Sequence, residues 1–326
     1  DEHDLWKDTM LLVNTDHGLL MGEHDWWAKV VTPFFQEIAH IPFWAYDPRN
    51  SNEINKKSNA LAQTIDLGPT ILDYFDIPLT EDMQGKAIFD FIEDDKEIRK
   101  ASLYGVMGGQ VNVTDGQYVY MRATTTEDNK PLFDYTLMPT HMKNRFSPRE
   151  LQEWEKVEGF GFMKGCKVMQ IPTRSFPIFS AKDNPLGRGR TATLLFDVEN
   201  DPGQTKPLND VNIEKRMIEL MIREMARNEC PSEQYIRLGL PEPKRLGKGH
   251  GDEMIQMPSD KEIEDSCVLD KAQGIEAAEH GAEGFPKMPF KDIFWEGEKT
   301  LRSTVFPDNL KLRPGYLISQ SEKSEE

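Results

Sequence analysis

Apolar runs near the start of the chain end abruptly in polar residues. The segment TMLLVNTD (9–16) is almost continuously apolar before Asn-Thr-Asp, which is typical of a buried parallel strand that ends in a loop. The segment IPFWAYDP (41–48) predicts another strand, and residues 60–77 carry apolar side chains at helical spacing. Those helical positions include Leu61, Ile65, Leu72 and Phe75. The alternation of strands with a helix predicts three-layer α/β architecture.

From about residue 100 the pattern becomes that of an antiparallel sheet. Asp115-Gly116 lies between two stretches of alternating polarity, which is typical of a hairpin with a type I′ turn. TATLLFDVENDP (191–202) predicts a strand that ends in a turn, and residues 212–226 predict an amphipathic helix. The apolar face of that helix holds Ile213, Met217, Leu220 and Met221. We therefore expect a smaller α+β subdomain with this helix packed on its sheet.

The remaining segments have no clear periodicity. Residues 125–190 mix aromatic, basic, Pro and Gly residues, so they predict long loops that serve as a lid or as filler. We divide the chain into the C-terminal part of an α/β domain (1–100), an α+β subdomain with long loops (101–250) and an acidic tail (251–326). The composition of the tail fits either a segment that wraps the domain or one that is poorly ordered.

Charge limits the classes of partner. The 326 residues contain 39 Lys and Arg against 56 Asp and Glu, a formal net charge of −17. Nucleic acid and anionic membrane surfaces are repelled by such a chain on average. No apolar run approaches the roughly 20 residues that a membrane-spanning helix needs. An anionic substrate must therefore meet a local positive site, and a metal ion is one way to form it.

A cluster of charged residues follows the first predicted strand, with the pattern D-H-G-x3-G-E-H-x4-K over residues 16–29. Asp16 offers a carboxylate oxygen and His17 an imidazole nitrogen, and both can ligate a divalent cation. Gly18 allows a close backbone approach, and Lys29 supplies a compact cation for an anionic oxygen. For His24, a contact with substrate and a packing role both remain open.

This constellation resembles the sulfatases of the alkaline-phosphatase superfamily, whose second metal-binding segment reads Asp-His-Gly, Gly-Glu-His and then Lys. Iduronate-type sulfatases are especially similar across residues 16–29. The resemblance continues through IPFWAYDP, through the segment at 63–88, and through LLFDVENDPGQTKPL (194–208). It covers roughly residues 5–240.

The resemblance implies a partial alkaline-phosphatase-like three-layer sandwich followed by the α+β subdomain. It implies a divalent metal, usually Ca2+ with Mn2+ or Mg2+ as alternatives, held by Asp16 and His17. Lys29 would contact a sulfate oxygen, and Lys29 and His24 are the candidate catalytic residues. The implied substrate is a sulfate ester, either a small molecule or a sulfated glycan. A metal and a lysine at an ester oxygen stabilise the charge that develops during hydrolysis.

One part of the family pattern is missing from the chain. The family nucleophile is a formylglycine made from the first residue of a C/S-x-P-x-R motif, and none of the three cysteines, Cys166, Cys230 and Cys267, begins such a motif. Three widely spaced cysteines also argue against a disulfide framework or a Cys-rich zinc site. We expect residue 1 to lie inside a larger protein with the nucleophile upstream, and this chain alone to be inactive.

Two alternatives remain open at this point. The first is a phosphodiester or phosphonate monoester hydrolase of the same superfamily, which also carries Asp-His-Gly and a later Lys. The second is a non-catalytic relative that binds a sugar or a protein partner. The sequence leaves the oligomeric state open.

Overall fold

The residues that the computed structural model describes lie between Glu2 and Leu269. The described residues are 2–25, 27–29, 33–49, 57–92, 96–126, 128–141, 144–173, 192–246 and 254–269. No helix among them is long and apolar enough to cross a membrane.

The described strands and helices are short, except for one long helix. The strands are β1 (Leu11–Asn14), β2 (Leu20–Met21), β3 (Trp27–Ala28), β4 (Phe43–Tyr46), β5 (Ser102–Gly105), β6 (Val111–Thr114), β7 (Tyr118–Arg122), β8 (Phe133–Thr136), β9 (Glu155–Val157), β10 (Val168–Pro172), β11 (Leu194–Asp197), β12 (Lys244–Arg245) and β13 (Ile255–Gln256). The α-helices are α1 (Gln36–Ala39), α2 (Leu67–Tyr74), α3 (Phe89–Ile92), α4 (Val211–Arg227), α5 (Ser232–Leu238) and α6 (Asp260–Asp265). Short 3-10 helices cover Leu5–Lys7, Glu23–Asp25, Thr64–Asp66 and Gly161–Met163.

The main core lies between helix α4 and a four-stranded antiparallel sheet. The sheet order is β11-β7-β6-β5. Helix α4 begins after Asp210, whose carboxylate accepts hydrogen bonds from the backbone N–H groups of Asn212 and Ile213. Its residues Met217 and Met221 are fully buried against one face of the sheet. The α+β part and the helix at 212–226 are thus confirmed.

The hairpin between β6 and β7 is confirmed, but its predicted turn type is wrong. The register pairs Thr114 with Val119, and Asp115 N–H donates to Tyr118 O. Gly116 has a φ of +97° and is the turn residue in the positive-φ region. A type I′ turn needs two such residues, and Asp115 instead accepts hydrogen bonds from two backbone N–H groups in the turn.

The first predicted strand forms, but its predicted pairing and burial are wrong. Strand β1 pairs with β4, and the two run antiparallel, with Val13 opposite Trp44. Both of these side chains are exposed. Among the described residues β4 is the partner of β1, and no second strand flanks β1 to complete a parallel sheet. Leu12, on the face opposite Val13, packs against a buried cluster that contains Ile88.

The helix predicted within 60–77 is shorter than its apolar pattern suggests. It is preceded by the 3-10 helix Thr64–Asp66, so Ile65 lies outside α2 and is exposed, as is Phe75 just after its end. Asp66 is buried, and its carboxylate accepts hydrogen bonds from Arg99 and from the Lys86 N–H. A buried polar junction therefore anchors this helix in place of the predicted apolar face.

Two segments without periodicity contain regular structure. Strands β8, β10 and β9 form a three-stranded antiparallel sheet within the region predicted as long loops. Residues 174–191 of that region lie outside the described residues. In the acidic segment, residues 254–269 pack onto the core with Ile263 and Leu269 buried, and residues 270–326 lie outside the described residues.

Candidate active site

The Asp16-His17-Gly18 segment forms a tight polar turn directly after β1. Thr15 Oγ1 donates a hydrogen bond to His17 O at 3.2 Å, and the His17 N–H donates to Asp16 Oδ1 at 3.1 Å. These local bonds explain why short polar residues follow the apolar run, since Thr and Asp side chains satisfy turn backbone groups. The second bond also fixes the direction of the Asp16 side chain.

Gly18 is the point at which this turn meets helix α1. Its N–H donates to Ile38 O at 2.9 Å. A Cβ atom at this position would lie 1.7 Å from Glu37 O. The close backbone approach predicted for Gly18 is therefore present, and α1 is what it approaches.

Gly18→Ala is expected to lower the free energy of unfolding by about 1–3 kcal/mol, because the backbone of the turn or of α1 must move to admit a methyl group. Urea denaturation measures this. Gly68→Ala in α2 is the matched control: a Cβ there has no atom within 4 Å, and we expect it to raise the free energy of unfolding by about 0.5–1 kcal/mol through helix propensity. Equal urea midpoints for Gly18→Ala and the wild type would contradict the assignment.

The side chains of Asp16, His17 and Lys29 converge on one point. Lys29 Nζ lies 2.9 Å from His17 Nε2, and Asp16 Oδ2 lies 3.3 Å from the same nitrogen. His17 Nδ1 lies 2.9 Å from Gly18 O. Since a carbonyl can only accept, Nδ1 carries the proton, and the Nε2 lone pair is free to accept a hydrogen bond from the Lys29 ammonium.

Electrostatics favour a charged carboxylate at this point. Desolvation raises the pKa of Asp16, but the positive charge that His17 carries whenever its ring is protonated, the hydrogen bonds from the backbone and from Thr15, and the charge of Lys29 outweigh it. The pKa of Asp16 therefore lies below its usual value. The carboxylate is available as an anionic oxygen ligand at neutral pH.

The three side chains line a cavity of about 690 Å3. Its far wall comes from strand β5 and the end of β6, with Ser102, Tyr104 and Thr114 among the lining residues. Ser102 and Tyr104 lie on one face of β5, since they are two residues apart along a strand. Ser102 Oγ is buried and has no hydrogen-bond partner among the described residues.

His24 occupies a different place from the other three predicted site residues. It is absent from the lining of the cavity. Its ring stacks on Phe35 with centroids 3.5 Å apart and an interplanar angle of 7°. Its Nε2 atom lies 3.4 Å from Glu37 Oε2. The structure therefore brings Asp16, His17 and Lys29 together at the cavity and places His24 outside the cavity lining, against Phe35.

The donor set tests whether a metal ion fits at this site. Asp16 offers carboxylate oxygens and His17 an unprotonated Nε2, and both donor types bind divalent cations. No group of three or more His, Cys, Asp or Glu residues gathers in the described part of the chain. The two residues therefore fit as part of a ligand set.

The polar wall residues Ser102, Tyr104 and Thr114 were missed by the sequence analysis. The alternation along β5 puts Ser102 and Tyr104 on the same face of the strand, and the sequence alone could have predicted this. Which face meets the cavity depends on the register of β5 with β6 and on the position of the Asp16 turn. Neither can be read from local pattern.

Several known proteins are similar in sequence to part of this chain. Residues 22–157 match the family model described as N-sulphoglucosamine sulphohydrolase, C-terminal. An arylsulfatase of Clostridium perfringens is 28% identical over 106 residues, covering 32% of this chain and 22% of that protein. An ulvan-active sulfatase of Formosa agariphila is 26% identical over 216 residues, covering 61% of this chain and 41% of that protein.

One solved structure is also similar, that of BT4656 in complex with its substrate D-glucosamine-2-N,6-O-disulfate. The TM-score is 0.41 at 12% identity, covering 71% of this chain and 37% of that chain. This chain thus spans less than half the length of the relatives it matches. The family-model match, which covers less than half of the chain, and the two sulfatase relatives show that this chain is similar to a C-terminal portion of sulfatases.

Proposed function

We propose that this chain is the C-terminal part of a sulfuric ester hydrolase that acts on a sulfated carbohydrate. The observation that carries the proposal is the convergence of Asp16, His17 and Lys29 on the wall of a 690 Å3 cavity. The similarity to sulfatases supports the reaction class, and the names of the matched family model and relatives support a sulfate ester as the bond cleaved.

Lys29 would bind a non-bridging oxygen of the ester. Its ammonium now donates to His17 Nε2, and it reaches the cavity from the hairpin formed by β2 and β3. A lysine ammonium is a compact charge with three donors, so it can keep a contact to His17 or Asp16 while donating to an ester oxygen. Its contribution grows as negative charge develops on the sulfate in the transition state.

Asp16 and His17 would hold a divalent cation, Ca2+ being the ion that the family implies. When bound, such an ion polarises sulfate oxygens as a Lewis acid. His17 Nε2 can accept either the Lys29 proton or a metal bond, but one lone pair serves only one of them. The Lys29 ammonium would then be left to meet the ester oxygen. The hydrogen bond from Nδ1 to Gly18 O keeps His17 in the required tautomer.

The remaining walls of the cavity suit the sugar part of the substrate. They combine the hydroxyl groups of Ser102 and Tyr104 with apolar side chains such as Phe43 and Leu61. Burial raises the pKa of the Tyr104 hydroxyl, so it stays neutral and can donate to a sugar oxygen. Neutral hydroxyls beside apolar surface match a sugar ring better than they match a second charged group.

The covalent step needs a nucleophile that this chain does not provide. Metal and lysine stabilise charge, whereas the family reaction passes through a formylglycine. We propose that this residue and the other metal ligands are supplied by the portion of the protein upstream of residue 1. The matched part of this chain covers only 22% and 41% of the two sulfatase relatives, which supports this division.

The complete protein, produced in a host that makes formylglycine, is expected to release sulfate from an aryl sulfate faster than it cleaves the matching phosphodiester. A formylglycine hydrate can expel sulfate from its covalent intermediate without a second attack at sulfur. The two esters are assayed side by side with and without EDTA, and Asp16→Ala serves as the inactive control. EDTA is expected to abolish turnover and added Ca2+ to restore it.

Other outcomes of the same assay would point to the alternatives. A preference for the phosphodiester would favour the phosphonate-hydrolase reading. No turnover of either ester or of sulfated sugars, together with binding of a sulfated sugar, would favour a non-catalytic relative. Full activity in Asp16→Ala would contradict the site itself.

A further inference from the structure

We propose that His24 is a positioning residue that clamps the Lys29-bearing hairpin onto helix α1 and so sets the distance between Lys29 and His17. This inference rests on the proposed function for its catalytic consequence. The clamp consists of His24, Phe35 and Glu37.

The first half of the clamp is an aromatic stack. The His24 and Phe35 rings lie parallel at 3.5 Å between centroids, and the His24 side chain is only 10% exposed. Phe35 in turn packs in a cluster with Phe196 of the four-stranded sheet, at 6.3 Å between ring centroids. His24 is therefore held on a rigid part of the fold.

The second half of the clamp is a buried polar pair. His24 Nε2 and Glu37 Oε2 lie 3.4 Å apart. Neither atom has a hydrogen-bond partner among the described residues. A buried polar atom without a hydrogen-bond partner is unfavourable. The approach of the two atoms to each other therefore reduces the cost of burying both. The pair favours one placement of the hairpin over others.

The clamp links both sides of the candidate active site. Glu37 and Ile38 are consecutive in α1, and Ile38 O accepts the Gly18 N–H next to His17. On the other side, His24 lies between β2 and β3, which pair Leu20 with Ala28 just before Lys29. Helix α1 thus holds the Asp16-His17 turn through Gly18 and the Lys29 hairpin through His24.

The backbone of His24 supports a positional role. Its φ is +54° and its ψ is +29°, in the left-handed region. Residues other than glycine adopt this conformation at an energetic disadvantage, and it persists where the surroundings determine it. The stack and the polar pair are the surroundings that do so here.

The test uses the complete protein with three changes: His24→Asn, Glu37→Gln and the double variant. Asn tolerates the left-handed conformation, and Gln keeps the shape of Glu. We expect each single change to lower kcat by about tenfold or more while KM changes by less than about threefold, because a misplaced lysine loses charge stabilisation in the transition state. The double variant is expected to be no worse than the more impaired single one, since both changes remove the same clamp.

A second readout does not depend on activity. Amide hydrogen exchange at Gly18 is expected to become faster in each variant, because the α1 contact loosens. The matched control is His141→Asn, which removes an exposed histidine paired with Glu150 at 2.7 Å. We expect that control to match the wild type in both readouts.

The outcomes separate this inference from the proposed function. If the wild type has no sulfatase activity, the proposed function fails, and hydrogen exchange alone decides the clamp. Unchanged exchange at Gly18 in both single variants would overturn the inference. So would a kcat effect that is additive in the double variant, or a change confined to KM.

Discussion

Lys29→Ala in the complete protein is expected to lower kcat for a sulfate ester by about 100- to 1000-fold, the usual effect of removing one preorganised donor from a developing anion. Lys29 Nζ is 2.9 Å from His17 Nε2 and lines the cavity with it. Because the lysine acts on charge that appears in the transition state, KM is expected to change much less than kcat. Steady-state kinetics on an aryl sulfate measure both values.

A second lysine serves as the control for general charge effects. Lys167 is exposed, pairs with Glu158 and is absent from the cavity lining. Lys167→Ala removes the same charge from the same polypeptide, and we expect kcat to stay within about twofold of the wild-type value, since exposed ion pairs contribute little. A comparable loss in both variants would show that net charge, and not the placement of Lys29, governs turnover.

Arg122→Met is expected to lower the free energy of unfolding by about 3–5 kcal/mol, because it breaks a buried charged network. The Arg122 guanidinium is 1% exposed. It donates to Leu238 O at 2.8 Å, to Ser266 O at 3.0 Å and to Gly239 O at 3.2 Å. These bonds join strand β7 to the end of helix α5 and to the segment that follows helix α6.

Two further buried groups depend on this arginine. Arg122 Nη1 donates to the Tyr120 hydroxyl, which donates to Glu214 Oε1, both at 2.9 Å. Burial raises the pKa of Tyr120, so the hydroxyl remains protonated and able to donate. Glu214 also accepts the backbone N–H groups of Val268 and Leu269. Without Arg122 the buried Glu214 carboxylate loses the positive charge that lies 3.9 Å from it.

Urea denaturation of Arg122→Met measures this loss. The matched control is Arg216→Met, because Arg216 is half exposed and its guanidinium forms an ion pair with Asp115 at 2.6 Å. We expect the control to lose less than about 1 kcal/mol. Similar losses in the two variants would mean that the network around Arg122 adds nothing beyond an ordinary surface pair.

Local sequence determined those features that arise from neighbouring residues. The amphipathic period of 212–226 predicted helix α4 almost to its ends, and alternation around Gly116 predicted the β6–β7 hairpin. The residues that converge at the site, Asp16, His17 and Lys29, were also named from the sequence. Their spacing brings them near one another through a short turn and a short hairpin, so little long-range information was needed.

Long-range packing decided the rest. A run of apolar residues does not state its partner, so the sequence alone predicted a buried parallel strand where β1 pairs antiparallel with β4 and is largely exposed. The same limit explains why Ser102 and Tyr104 were not foreseen at the cavity, since their position depends on how the sheet faces the Asp16 turn. His24 is the clearest example of this limit. The motif at 16–29 identified the residue as a candidate, but its stack on Phe35 and its contact with Glu37 place it outside the cavity lining. Both partners are positioned by tertiary packing, which the local sequence does not reveal.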